Sequence, residues 1–134
     1  MTPDEVITAW LDAYNARDAH ALIALYHDDA EVFQVAAGPP LHGRDVLFEN
    51  FVAFFAAFPD NYTNPVNVIH TDAWSIVEWQ GGGTFLGKLG EWEPTGRHFE
   101  IRGCGFFRIG GGKIAYQRGY FDSLGWFRQI GVVA

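Results

Sequence analysis

The sequence predicts an α+β domain, and three observations carry that prediction. Apolar residues recur at helical spacing chiefly in the first part of the chain. Runs of β-type residues, punctuated by glycine and other turn formers, fill most of the remainder. The chain has 134 residues, 49% hydrophobic and 16% aromatic, enough core material for a single domain over residues 1–134 and too little length for two. Helices gathered in front of strands imply helices laid on one face of a sheet.

At the N-terminus, Thr2 and Glu5 form a capping box with Pro3 at the first helical position, and Ile7, Trp10, Leu11 and Tyr14 make the apolar stripe of a first helix. Asp18 is the next N-cap, opening a short helix with Leu22, Leu25 and Tyr26 on one face. Glu31 to Val35 reads as a strand, ended by the irregular Ala37-Gly38-Pro39-Pro40 stretch. A third helix begins after Gly43, carries Leu47, Phe51, Phe54, Phe55 and Phe58, and stops at Pro59-Asp60. Four antiparallel strands are expected next: Tyr62 to His70, Ala73 to Phe85, Arg97 to Ile109 and Lys113 to Phe121. Thr71-Asp72 turns between the first two, a loop over Gly87 to Pro94 joins the middle two, and Gly110-Gly111-Gly112 tips the last hairpin. Ser123 to Ile130 closes the chain as a short helix.

Composition excludes several classes of function. Nine Lys plus Arg against sixteen Asp plus Glu leave a net charge of −7, the wrong sign for nucleic acid or an anionic membrane. No apolar run is long enough to span a bilayer, and Met1 to Glu5 lacks the layout of a signal peptide. The lone Cys104 forms no internal disulfide and points to a reducing compartment, the cytoplasm. Without a histidine base it reads as a packed thiol. His20, His27, His42, His70 and His98 show no helical i, i+4 pair and no Cys/His cluster, so no metal is expected. Neither triple-glycine run opens a helix, so the dinucleotide fingerprint fails and no cofactor is expected.

Six ordered phrases carry a family resemblance: Ala24-Leu25-Tyr26-His27-Asp28-Asp29-Ala30, His42-Gly43-Arg44-Asp45, Pro94-Thr95-Gly96-Arg97, Gly112-Lys113-Ile114, Tyr120-Phe121-Asp122 and Gln129-Ile130-Gly131. In this order they resemble the SnoaL-like and limonene-epoxide-hydrolase-like branch of the nuclear transport factor 2-like superfamily. The resemblance implies a cystatin-like α+β barrel: a cone-shaped, curved antiparallel sheet wrapped by three N-terminal helices, with a short C-terminal helix. It also implies a deep pocket for a hydrophobic small molecule, and a homodimer. Because the fold hosts isomerases, cyclases, lyases, hydrolases and plain binding proteins, it does not choose the chemistry.

Carried over position by position, the family's catalytic acids are missing. The tyrosine of the ketosteroid isomerases falls on Trp10, their proton-moving acid on Gln34 or Val35, and their buried acid on Gly105 or Cys104. The water-holding tyrosine and asparagine of the epoxide hydrolases fall on Phe33 and Val35, and their last-strand acid on Gly119. Their Arg-x-Asp pair falls on Leu86 and Lys88, or on Trp79 and Gly81. A SnoaL-like cyclase would need one acid on the last strand, and Asp122 is the candidate base. Two readings of Asp122 compete: a helix cap before Ser123, which strand alternation turns away from Gln117, Gly119 and Phe121, or a pocket base, if a bulge at Gly119 reverses that alternation. The expected pocket wall is Trp10, Tyr14, Phe33, Val35, Trp79, Gln117, Gly119 and Phe121, with Tyr14 and Gln117 as hydrogen-bond donors. The function expected is therefore a cofactor-independent cyclase, isomerase or lyase on a carbonyl compound. The alternative is a binding protein that lost its acids, and an epoxide hydrolase is third.

Overall fold

A computed structural model describes all 134 residues. In chain order it contains α1 (Pro3–Asn15), α2 (Ala19–Ile23), β1 (Tyr26–Gln34), β2 (Leu41–His42), α3 (Arg44–Ala57), β3 (Tyr62–His70), β4 (Ser75–Thr84), β5 (His98–Gly110), β6 (Lys113–Phe121) and α4 (Ser123–Ile130). The strands form one six-stranded sheet in the order β2-β1-β6-β5-β4-β3. It is an α+β fold, with helices packed on one concave side of a curved sheet.

The helix ends are built as their sequences dictate. Thr2 accepts from the Glu5 amide at 3.2 Å while Glu5 accepts from the Thr2 amide at 3.0 Å, satisfying two otherwise orphaned donors. Asp18 accepts from the Ala21 amide at 3.0 Å. The buried stripe of α1 is Val6, Ile7, Trp10 and Ala13, so its core-facing side is turned slightly from the one expected, and Leu11 and Tyr14 are half-buried. Asn15 at the end of α1 clamps the Thr63 backbone, donating to its carbonyl at 2.9 Å and accepting from its amide at 2.7 Å. This side chain ties α1 to β3. The β5–β6 turn uses φ of +60° at Gly111 and +77° at Gly112, a backbone shape that side chains with a Cβ rarely adopt.

Three expectations about the sheet are corrected. It is mixed, because β1 runs parallel to β6 while the other pairings are antiparallel. The β3–β6 meander ends beside β1 pointing the same way, and a parallel neighbour of this kind needs a long crossover, here supplied by everything between them. Tyr26 starts β1 rather than ending a helical face, since α2 stops at Ile23. Leu41 and His42, where no strand is expected between Pro40 and the third helix, add a two-residue edge strand against Val32 and Glu31.

Two apolar clusters form the core. The larger, under α1 to α3, includes Val6, Ile7, Leu22, Tyr26 and Ile114. The smaller, under α4, joins Ala57, Phe58, Phe85, Phe99, Trp126 and Ile130. No helix is long and apolar enough to cross a membrane.

Candidate functional site

A cavity of about 450 Å³ is lined by residues drawn from both clusters, a volume in the range of small-molecule sites. Its walls come from nearly every element. Helix α1 gives Trp10 and Tyr14, and α3 gives Leu47, Asn50, Phe51 and Phe54. Alternate residues of β4 and β5 give Val77, Trp79, Phe99, Ile101, Gly105 and Phe107. β6 gives Gln117, Gly119 and Phe121, and α4 gives Trp126. Trp10 stacks on Tyr14 with centroids 4.9 Å apart and meets Phe107 edge-on at 5.3 Å, fixing the aromatic wall.

Not one Asp, Glu, His, Lys, Arg or Cys lines this cavity. Its polar groups are neutral. Trp10 Nε1 donates to the Tyr26 hydroxyl at 2.8 Å, and that hydroxyl donates to Gln117 Oε1. Burial pushes the Tyr14 hydroxyl far above its ordinary pKa, with a hydrogen bond to Thr63 lowering it only in part. Burial does the same to Tyr26, against the opposing hydrogen bond from Trp10. Both phenols are therefore neutral hydrogen-bonding groups at physiological pH. Two enclosed polar atoms on lining residues have no partner, Asn61 Oδ1 and Trp126 Nε1.

The structure brings together Trp10, Tyr14, Trp79, Gln117, Gly119 and Phe121 among the residues expected at the pocket. Phe33 and Val35 are not on its wall; Val32 and Gln34 take their place. The β1–β6 register shifts between Tyr26 and Glu31, and that irregularity decides which alternate set of β1 faces inward. Phe33 instead pairs with Arg118, and Val35 is 41% exposed beyond the strand end. Of the placements left open, Trp79 and Gly81 line the cavity while Leu86 and Lys88 do not, and Gly105 lines it while Cys104 does not. Burial, then nearby Glu78, raises the pKa of the Cys104 thiol, the opposite of what a nucleophile needs.

Asp122 stands outside the lining. Its carboxylate accepts from the Gly125 amide at 2.9 Å as the N-cap of α4. Gly119 has no side chain of its own, but the Gln34 amide lies over it, so an added Cβ would overlap that flexible group. Sequence reasoning missed Gln34 as a wall residue, as well as Asn50, Asn61, Thr63 and Trp126. Asn61 and Trp126 are legible only as polar atoms left unpaired by the folded core. No three His, Cys, Asp or Glu side chains gather in a metal-holding arrangement.

The model of a family described as SnoaL-like polyketide cyclase matches residues 4–130. Among solved structures, the chain is similar to IdmH of Streptomyces antibioticus, a proposed polyketide cyclase: 23% identity, 98% of this chain and 99% of that one, TM-score 0.81. It is similar to a hypothetical protein of Catenulispora acidiphila with a ketosteroid isomerase-like fold, solved with trimethylamine. Identity there is 21% over 98% of this chain and 95% of that one, with TM-score 0.81. A LEH-like epoxide hydrolase of M. tuberculosis matches at 17% identity over 94% of this chain and 86% of that one, TM-score 0.76. At these identities the structural likenesses establish the fold and leave the chemistry to the site.

Proposed function

Because the chain belongs to the SnoaL-like polyketide cyclase family, we propose that it binds a neutral, largely apolar small molecule of the polyketide kind, held by neutral hydrogen bonds. The observation that carries this reading is the absence of any acid, base or fixed charge from the cavity lining. An ionic ligand would lose its hydration there and meet no counter-charge, whereas an aromatic ketone or phenol would lose little. The same absence leaves the chain no carboxylate at the cavity to take a proton from carbon, which favours binding over carboxylate-driven catalysis.

A matched pair of probes tests it. Naphthalene-2-carboxamide is expected to quench the fluorescence of the cavity tryptophans on titration, and 2-naphthoate at pH 7 to bind at least about tenfold more weakly. Equal or tighter binding of the anion, or no binding of either, would overturn the reading. The second reading, a cyclase, isomerase or lyase with Asp122 as base, is favoured by the family match. It requires that Asp122→Asn abolish turnover of a carbonyl substrate while leaving stability intact.

We also propose a two-fold homodimer formed through the outer sheet face. Phe106 and Tyr116 are half-buried there, Tyr120 is 44% exposed, and Ile69 on the edge strand β3, on the same face by way of Ile76, is 53% exposed. Exposed aromatic and aliphatic surface of this extent suits a self-complementary interface. Light scattering at micromolar concentration checks it, and a monomer mass would remove it.

A further inference from the structure

Gln117 is a buried amide on the inner face of β6, paired in register with Phe107 and succeeded on that face by Gly119, which pairs with Gly105. Gly105 leaves space beside the amide, since an added Cβ would meet only the Phe107 ring, at 3.4 Å, while the Gln34 amide covers Gly119. Hydrogen-bond logic fixes which way the amide points. An indole N–H can only donate, so Trp10 Nε1 uses the Tyr26 oxygen as its acceptor. The single Tyr26 proton must then go elsewhere, and its one other partner is Gln117. Gln117 therefore presents Oε1 to Tyr26 and turns Nε2 the other way. Nε2 makes no hydrogen bond within the protein. It is also absent from the enclosed, partnerless atoms, which are Asn61 Oδ1, Arg118 Nε and Trp126 Nε1. Since Gln117 lines the cavity, the amide nitrogen opens onto it.

Resting on the reading of the cavity as a site for a neutral molecule, we propose that Gln117 determines ligand orientation by donating from Nε2 to a ligand carbonyl oxygen. Trp10 and Tyr26 are its positioning residues, acting as a relay of donors that sets the amide the right way round. The ligand class is thus narrowed to ketones, quinones and related carbonyl compounds whose flat body lies over Gly105. The hydrogen bond polarises the carbonyl and weakens its C=O bond, and no proton leaves the protein in this step. Because burial holds the Tyr26 hydroxyl protonated, the relay keeps its direction across physiological pH.

The test uses 9-fluorenone and fluorene, which share a shape and differ by the carbonyl. In the wild-type protein, the carbonyl stretch of bound fluorenone is expected at lower frequency than in hexane. Gln117→Met should lower the preference for fluorenone over fluorene about fivefold, with the affinity for fluorene nearly unchanged. Tyr26→Phe should weaken the frequency shift, because the amide then loses its orienting partner while its own donor remains. If Gln117→Met fails to fold by circular dichroism, the wild-type infrared shift still decides. An unshifted stretch, or a preference that survives Gln117→Met, overturns the donor role while leaving the cavity reading intact. Failure of both probes to bind removes the cavity reading and this inference with it.

Discussion

The two faces of β5 and β6 are made by alternating residues of the same strands, yet they handle charge in opposite ways. Inward, Gly105, Phe107, Gln117, Gly119 and Phe121 form a wall without one ionisable group. Outward, Arg118 lies over Trp74, Phe106, Tyr116 and Tyr120 at 5.2, 5.3, 5.7 and 5.9 Å from their ring centroids. Arg108 sits 4.6 Å over the same Trp74 ring. Both faces are rich in aromatics, so hydrophobicity does not distinguish them. What differs is access to water: a guanidinium stacked on an exposed ring keeps part of its hydration, and one in the cavity would not. The inner face is thereby reserved for neutral chemistry.

The most direct way to break this contrast is to place a charge inside. Gly119→Asp pushes the Gln34 amide aside and buries an acid with no cationic partner. Burial raises its folded pKa above the unfolded value, so the folded state holds the proton more tightly and stability falls as pH rises between the two. A loss of about 3 kcal/mol at pH 8, smaller at pH 5, is expected from thermal melts. A variant as stable as its parent at both pH values would mean that the inner wall tolerates charge after all.

The boundary between the faces supplies the next test. Asp122 ends β6 and starts α4, and as a cap its change to Ala should cost about 1 kcal/mol, while Asn or Ser should be nearly silent. Denaturant midpoints read this directly. On the outer face, Arg118→Ala should cost less, about 0.5–1 kcal/mol, since cation–π contacts at accessible rings are modest. Equal stability losses from Arg118→Ala and Gly119→Asp would erase the distinction between the faces.

The smallest effect has the opposite sign in pH. Burial pushes Asp60 upward, but hydrogen bonds from the Thr84 hydroxyl and amide, both 2.7 Å, outweigh it and His98 adds to them, so its pKa is lowered. A depressed folded pKa gives stability that is present above the unfolded value and lost as pH falls through the folded one. Asp60→Asn should therefore lower stability slightly at neutral pH and flatten the acid limb of the profile below about pH 4, so that the two proteins converge as pH falls. An exposed carboxylate with two donors gains from ionising, whereas one set into the cavity wall would lose.

Local signals are legible in the sequence where a few adjacent residues settle the structure. The caps at Thr2, Asp18 and Asp122 and the tip at Gly111-Gly112 belong to this kind. So does the β6 alternation that separates Gln117, Gly119 and Phe121 from Asp122, because β6 is regular from Tyr116 to Phe121. The inner set on β1 is not legible: Phe33 looks like a pocket aromatic, but the register irregularity between Tyr26 and Glu31 turns Val32 and Gln34 inward. Leu25 and Tyr26 continue the helical spacing of Leu22, and only the pairing of Tyr26 with Ile114 makes them part of a strand entrance. Asn61 and Trp126 reveal themselves through what they fail to bond, a property of the folded packing alone.

The parallel pairing of β1 with β6 also governs how the molecule can assemble. Val32 must wait for Gln117, so the central seam of the sheet closes only after nearly the whole meander has formed. Contacts between such distant parts of a chain are slow to make, because loop-closure entropy is spent before any packing energy returns. During synthesis β1 leaves the ribosome with one edge unclaimed until β6 emerges. Asp28, Asp29 and Glu31 put three negative charges on that waiting strand, which keeps it hydrated and discourages neighbouring nascent chains from annealing to it.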